Sequence, residues 1–134
     1  MPLNEVQLRT LTSAIDRIVP ADDYPNASEA GCLDFLVRLI ELEHLEDTYR
    51  AGLDGLEVEA QRSGRSFADL SPEQQDDLIR KCEVMIRRTG WEVSPRQFVE
   101  LLARQTIEGY YSDPGNGGNR GGIAWKMVGF EVRG

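Results

Sequence analysis

Ser71-Pro72-Glu73-Gln74 and Ser94-Pro95-Arg96-Gln97 decide the fold class. In each, a serine hydroxyl can accept from the backbone N–H three residues on. The proline occupies the first turn, where no N–H is needed, and the glutamine can reach back to the cap. Apolar residues then recur at helical spacing: Leu78, Ile79, Cys82, Met85 and Ile86 after the first start, and Phe98, Val99, Leu101, Leu102, Thr106 and Tyr110 after the second. The first of these helices is expected to run to about Thr89-Gly90.

The same grammar extends outward. Leu8, Leu11, Ile15 and Ile18 form one helical face, which Pro20 ends, and residues 20–28 read as a loop with prolines near both ends. A further helix is expected from Asn26 or Ser28, with Leu33, Leu36, Val37 and Ile40 on one side and Phe35, Leu39 and Leu42 widening the face. Apolar residues around most of its circumference predict a central helix. Leu45, Tyr49, Leu53, Leu56 and Ala60 make another stripe, weakened by Gly52 and Gly55 and stopped at Gly64. Residues 112–122 break the pattern, with five of the chain's 13 glycines. No strand pattern of useful length and no repeat of solenoid period appears. The expected fold is all-α: a single-domain bundle of about five helices over 1–111, with a Gly-rich loop and irregular aromatic tail over 112–134 packed on the bundle or on a partner.

A chain of 134 residues fits one domain, and 40% hydrophobic with 28% charged residues is ordinary for a globular one. Fifteen basic against 23 acidic residues leave a net charge of −8. Nucleic-acid binders cluster Lys and Arg to neutralise phosphates, and no basic run here exceeds Arg87-Arg88. DNA, RNA and anionic lipid are therefore poor partners. No run approaches the roughly eighteen apolar residues of a membrane span.

Catalytic chemistry finds little purchase. His44 is the only histidine, so sites needing two imidazoles are excluded. Cys32 and Cys82 sit among apolar neighbours, where buried, inert thiols are the ordinary reading. Gly115-Asn116-Gly117 begins a dinucleotide fingerprint, but its last glycine falls on Arg120 and the loop follows a helix, not a strand. A calcium loop opened by Asp113 would need its bidentate glutamate at Ala124. Asp22-Asp23, Glu41 with Glu43, and Asp76-Asp77 lie on polar stretches or helix starts, as solvated carboxylates do. No residue is assigned a catalytic, cofactor-binding or metal-binding role.

The loop and tail remain. Dense glycine costs entropy on ordering, so tight turns or close backbone approach are implied before Trp125. Trp125, Val128 and Phe130 either fold back over the bundle or join a docking surface, since aromatic anchors dominate interfaces. The residues expected to contact a partner are Tyr110, Tyr111, Asp113, Asn116, Gly117, Gly118, Asn119, Trp125 and Phe130. The alternative is a freestanding helical domain that binds a small molecule or metal in its core.

Leu11-Thr-Ser-Ala-Ile-Asp-Arg-Ile-Val-Pro20, Gly31 opening an apolar helix, Phe67-Ala-Asp-Leu-Ser71 and Gln74 have a familiar order. So do Thr106-Ile-Glu-Gly-Tyr-Tyr-Ser-Asp-Pro114, Gly117-Gly-Asn119, Trp125 and Gly129-Phe130. Together they resemble the gluconate 2-dehydrogenase subunit 3 family over nearly the whole chain. The tail motifs are the more distinctive part.

The resemblance implies a non-catalytic small subunit of a flavin-dependent sugar or sugar-acid dehydrogenase. The large subunit, of glucose-methanol-choline oxidoreductase type, holds FAD and performs the oxidation, and a multihaem cytochrome c often forms a third subunit. The small subunit supports folding of the large one. In many members it also carries a twin-arginine export signal. This sequence departs there, because Arg87-Arg88 is its only arginine pair and lies mid-chain. As written the chain is expected in the cytoplasm, or at the periplasmic face of a membrane if exported with a partner.

Overall fold

Helix starts are where sequence and structure meet most directly. The computed structural model describes residues 3–22 and 24–111, and five α-helices form there: α1 (Glu5–Ile18), α2 (Cys32–Leu42), α3 (Glu46–Gln61), α4 (Pro72–Cys82) and α5 (Pro95–Tyr110). One 3-10 turn, Phe67–Asp69, lies between α3 and α4. The expected all-α class is the observed one. The proposed loop and tail over 112–134 lie outside the described residues.

At α4 the capping box closes both ways: Ser71 Oγ accepts from Gln74 N at 3.1 Å, and Gln74 Oε1 accepts from Ser71 N at 3.0 Å. At α5 only the forward half forms, with Ser94 Oγ accepting from Gln97 N at 3.3 Å. A further box starts α1, where Asn4 and Gln7 exchange bonds of 2.8 and 2.9 Å. Each cap is worth about 1 kcal/mol, so they place helix starts without holding the bundle together.

Packing does that. The helices α1, α3 and α5 touch one another, and α2 and α4 each lean on this trio. Leu11 and Ile15 of α1, Leu53 and Leu56 of α3, and Phe98 and Leu102 of α5 are almost wholly buried between them. The α2 helix closes one side with Leu36 and Ile40, and α4 another with Ile79 and Cys82.

Three expectations are corrected. The helix expected from Asn26 or Ser28 begins at Cys32 instead. Asp16 of α1 captures Ser28, taking its N–H and its hydroxyl at 2.8 Å each, while Asn26 caps only a turn by accepting from Glu29 N at 2.9 Å. Gly31 then redirects the chain at φ 91°, a conformation costly for any residue with a Cβ. Second, α2 is a flank and not the centre, so Leu33, Phe35, Val37 and Leu39 are only half-buried and Leu42 is exposed. Third, α4 stops at Cys82, well before Thr89-Gly90. Its continuation is pulled away by long-range contacts to α3 described below.

Gly52 and Gly55 weaken α3 locally but let aromatic rings reach its backbone. A Cβ on Gly52 would meet Phe98 Cδ1 at 2.2 Å, and one on Gly55 would meet Trp91 Cδ2 at 2.3 Å. Phe98 also stands edge-on to Tyr49, with centroids 5.5 Å apart and planes at 81°. Tyr49 in turn donates its hydroxyl to Gln105 Oε1, so its polar end is satisfied in the core.

Gly52→Ala therefore sets helix propensity against packing. Alanine favours the helix by about 0.8–1 kcal/mol, but the displaced Phe98 ring should cost about 1–3 kcal/mol through overpacking. Denaturant titration should show a net loss of stability; a more stable variant would show that the ring does not depend on the bare backbone.

Candidate partner-binding surface

Of the positions expected to contact a partner, only Tyr110 and Tyr111 fall within the described residues. Asp113, Asn116, Gly117, Gly118, Asn119, Trp125 and Phe130 lie outside them. Tyr110 is fully buried and donates its hydroxyl to Pro25 O at 2.7 Å, which ties the loop after α1 to the end of α5. Burial pushes its hydroxyl pKa up. Tyr111 is half-buried and meets the Tyr110 ring edge-on, with centroids 5.4 Å apart. Gly109 sits one step earlier, where an added Cβ would lie 2.6 Å from the Phe35 ring of α2. Tyr110 is thus placed to lock the bundle, and Tyr111 stands at its edge.

The two thiols and several of the carboxylates are committed to the fold. Cys32 and Cys82 are free and buried, and burial pushes both thiols up to about 12, so they are held protonated and unreactive. Asp76 forms a two-pronged pair with Arg17 at 2.9 and 3.3 Å, and Asp77 pairs with Arg80 at 3.1 Å. Glu41, Glu43 and His44 are exposed. Among the described residues no group of three or more His, Cys, Asp or Glu side chains could hold a metal ion, and no helix is long and apolar enough to cross a membrane.

One carboxylate stands apart. The Glu59 side chain is 3% exposed and accepts from Arg88 Nε at 2.9 Å and Trp91 Nε1 at 3.3 Å. Arg62 and Lys81 lie 3.5 and 4.0 Å away. Burial alone would raise its pKa, but these donors and cations outweigh it and hold the carboxyl below its usual range. Gly55 and Glu59 are one helical turn apart, so Trp91 rests its ring on the first and donates to the second. Arg62 Nη2 adds a bond to Thr89 O at 2.9 Å, and Gly90 turns at φ 93°.

These contacts give the segment 83–94 a defined shape outside any helix. Met85 is partly buried against the core, and its carbonyl accepts from Arg96 N at 2.9 Å. Val84 and Ile86, on either side of it, point outward at 79% and 66% exposure. Arg87 follows, exposed and with no ion pair among the described residues. Ile86, Arg87, Trp91 and Val93 help to line an open groove of about 630 Å³. The sequence reading missed this surface because Met85 and Ile86 continue the helical apolar pattern and no Gly or Pro lies between Cys82 and Gly90. Only the Gly90-Trp91 step after a paired arginine hints at a turn.

Removing the Glu59 charge should loosen the segment. Glu59→Gln is expected to cost roughly 1.5–3 kcal/mol at neutral pH, the range for hydrogen bonds to charged groups. Because its folded pKa is lowered, Glu59 stabilises the fold above the unfolded carboxylate pKa of about 4.3, and this is lost as pH falls through the folded value. Urea midpoints of wild type and variant should therefore converge at acid pH. A gap that stays constant with pH would refute the charge-based account.

The comparisons with known proteins bear on this arrangement of helices, capped loop and tail sequence. No curated protein and no solved structure gives a match. The family model described as gluconate 2-dehydrogenase subunit 3 matches residues 5–132, which takes in all five helices and the tail motifs. The chain belongs to the gluconate 2-dehydrogenase subunit 3 family.

Proposed function

We propose that this chain is the non-catalytic small subunit of a flavin-dependent dehydrogenase, binding and stabilising a large glucose-methanol-choline type subunit that holds FAD and oxidises a sugar or sugar acid. The family match over residues 5–132 carries the reading. The disposition of reactive groups supports it: the thiols are buried and protonated, and the best-placed carboxylate, Glu59, is spent on holding a surface segment. A chain that uses its charged groups for its own architecture is suited to a scaffold role. In this reading the small subunit aids maturation of the large one, and the flavin is bound by the partner.

The test is affinity capture of the tagged chain from its native host, with the eluate read by visible absorbance and protein size. A yellow, flavin-bearing partner is expected. A colourless, solitary, stable chain would sink the subunit reading and favour a freestanding ligand-binding domain. Trp125 is one of the tail aromatics within the residues that the family model matches. Trp125→Ala should weaken the captured complex by about 2 kcal/mol or more, the scale of an interface anchor. Its effect on the isolated chain's unfolding should be smaller, and equal losses in both would remove Trp125 from the interface.

A further inference from the structure

We infer that residues 83–89 are a two-state latch, held bent by Glu59 and continuing α4 as helix through Thr89 once the Glu59 charge is removed or occupied. Local preference in the segment favours the helix. Gln75, Ile79 and Cys82 are the buried positions of α4, and Ile86 and Thr89 follow them at the same four- and three-residue spacing. Arg87 and Arg88 would stand in the last turn, where cations complement the helix dipole. Gly90 already holds φ 93°, the left-handed conformation of a residue just past a helix end. Yet the helix stops at Cys82. A conflict of this kind between local preference and tertiary contact marks a segment with two competing arrangements.

Hydrogen bonds nearly balance between the two arrangements. In the bend, the N–H groups of Ile86, Arg87, Arg88 and Thr89 bond to no described residue. Helical continuation would pair them with the carbonyls of Cys82, Glu83, Val84 and Met85. Against these four bonds stand the four that hold the bend: Arg96 N to Met85 O, Arg88 and Trp91 to Glu59, and Arg62 to Thr89 O. The two to Glu59 tip the balance, because they serve a buried carboxylate that a neutral side chain would not replace. Chain length permits both arrangements. Arg96 N lies 2.9 Å from Met85 O, so α5 begins beside the end of α4. Extension to Thr89 would carry the chain about 10 Å past Cys82, and residues 90–94 can span about 16 Å on the way back. The exchange also changes the surface: Ile86, exposed in the bend, would join the helix face of Ile79 and Cys82.

The experiment compares the full wild-type chain with Glu59→Gln and with Arg88→Ala by backbone NMR. Each variant removes one side of the latch, and the loosened segment should refold as helix instead of fraying. Carbon-13 secondary shifts at 86–89 should turn from coil-like to helical, and exchange of these four amides should slow by about tenfold or more. Adding Arg87→Gly to Glu59→Gln should abolish the gain, since glycine is a poor helix former and Arg87 is exposed in the bend. Arg88→Ala is the gentler variant, because the Arg88 side chain is 35% exposed and alanine suits the helix, so it decides the matter where Glu59→Gln fails to fold. Coil-like shifts and unslowed amides at 86–89 in every variant that folds would overturn the latch. So would a helical gain that survives Arg87→Gly, or helical shifts already present in wild type. The outcome is read on the isolated chain and leaves the subunit reading above intact either way.

Discussion

Three aromatic rings lie on helix backbone that glycine leaves bare: Phe98 on Gly52, Trp91 on Gly55 and Phe35 on Gly109. The first brings α5 against α3, the second brings the segment after α4 against α3, and the third brings α2 against α5. In each case a methyl group at the glycine would fall within 2.6 Å of the ring, far inside the roughly 3.5–4.0 Å of an ordinary carbon contact. The bundle's spacing therefore depends on missing side chains as much as on the apolar ones that fill its core. Glycine in a helix costs about 1 kcal/mol, a cost offset by seating a ring that can bury 150–250 Å².

Along α3 this arrangement runs into an electrostatic one. Gly52, Gly55 and Glu59 follow one another at helical spacing, so a single stripe takes Phe98, then Trp91, then the cations Arg88 and Arg62. A carboxylate this buried is tolerated only because several donors meet it, and removing one member would leave charge stranded. That requirement ends α4. Continuing the helix beyond Cys82 would keep local hydrogen bonds but give up the contacts of Arg88 and Trp91 with Glu59. The chain instead bends, and Val84 and Ile86 are turned to solvent.

An accessory subunit has two tasks, to hold its own shape and to offer a surface. Here several buried or paired polar groups serve the first task. Asp16 holds Ser28, Asp76 holds Arg17, Glu57 accepts from Phe67 N at 2.9 Å, and Tyr110 holds Pro25.

Sequence by itself determined the helical class, the starts of α4 and α5, the stop at Gly64 and the family. These rest on local rules: a cap needs residues within three positions, and a stripe needs a repeat of 3.6. It also marked Tyr110 as important, though as a partner contact, and only the structure shows its hydroxyl on Pro25, 85 residues away in sequence. Tertiary structure alone decided where α2 begins, where α4 ends, and that α2 is a flank. Each turned on a partner remote in sequence: Asp16 for Ser28, Glu59 for Arg88 and Trp91, and the α1, α3 and α5 trio for α2. Periodicity records that a residue is apolar but not which helix will be there to cover it, so Ile86 reads as part of the helical stripe until the packing leaves it outside.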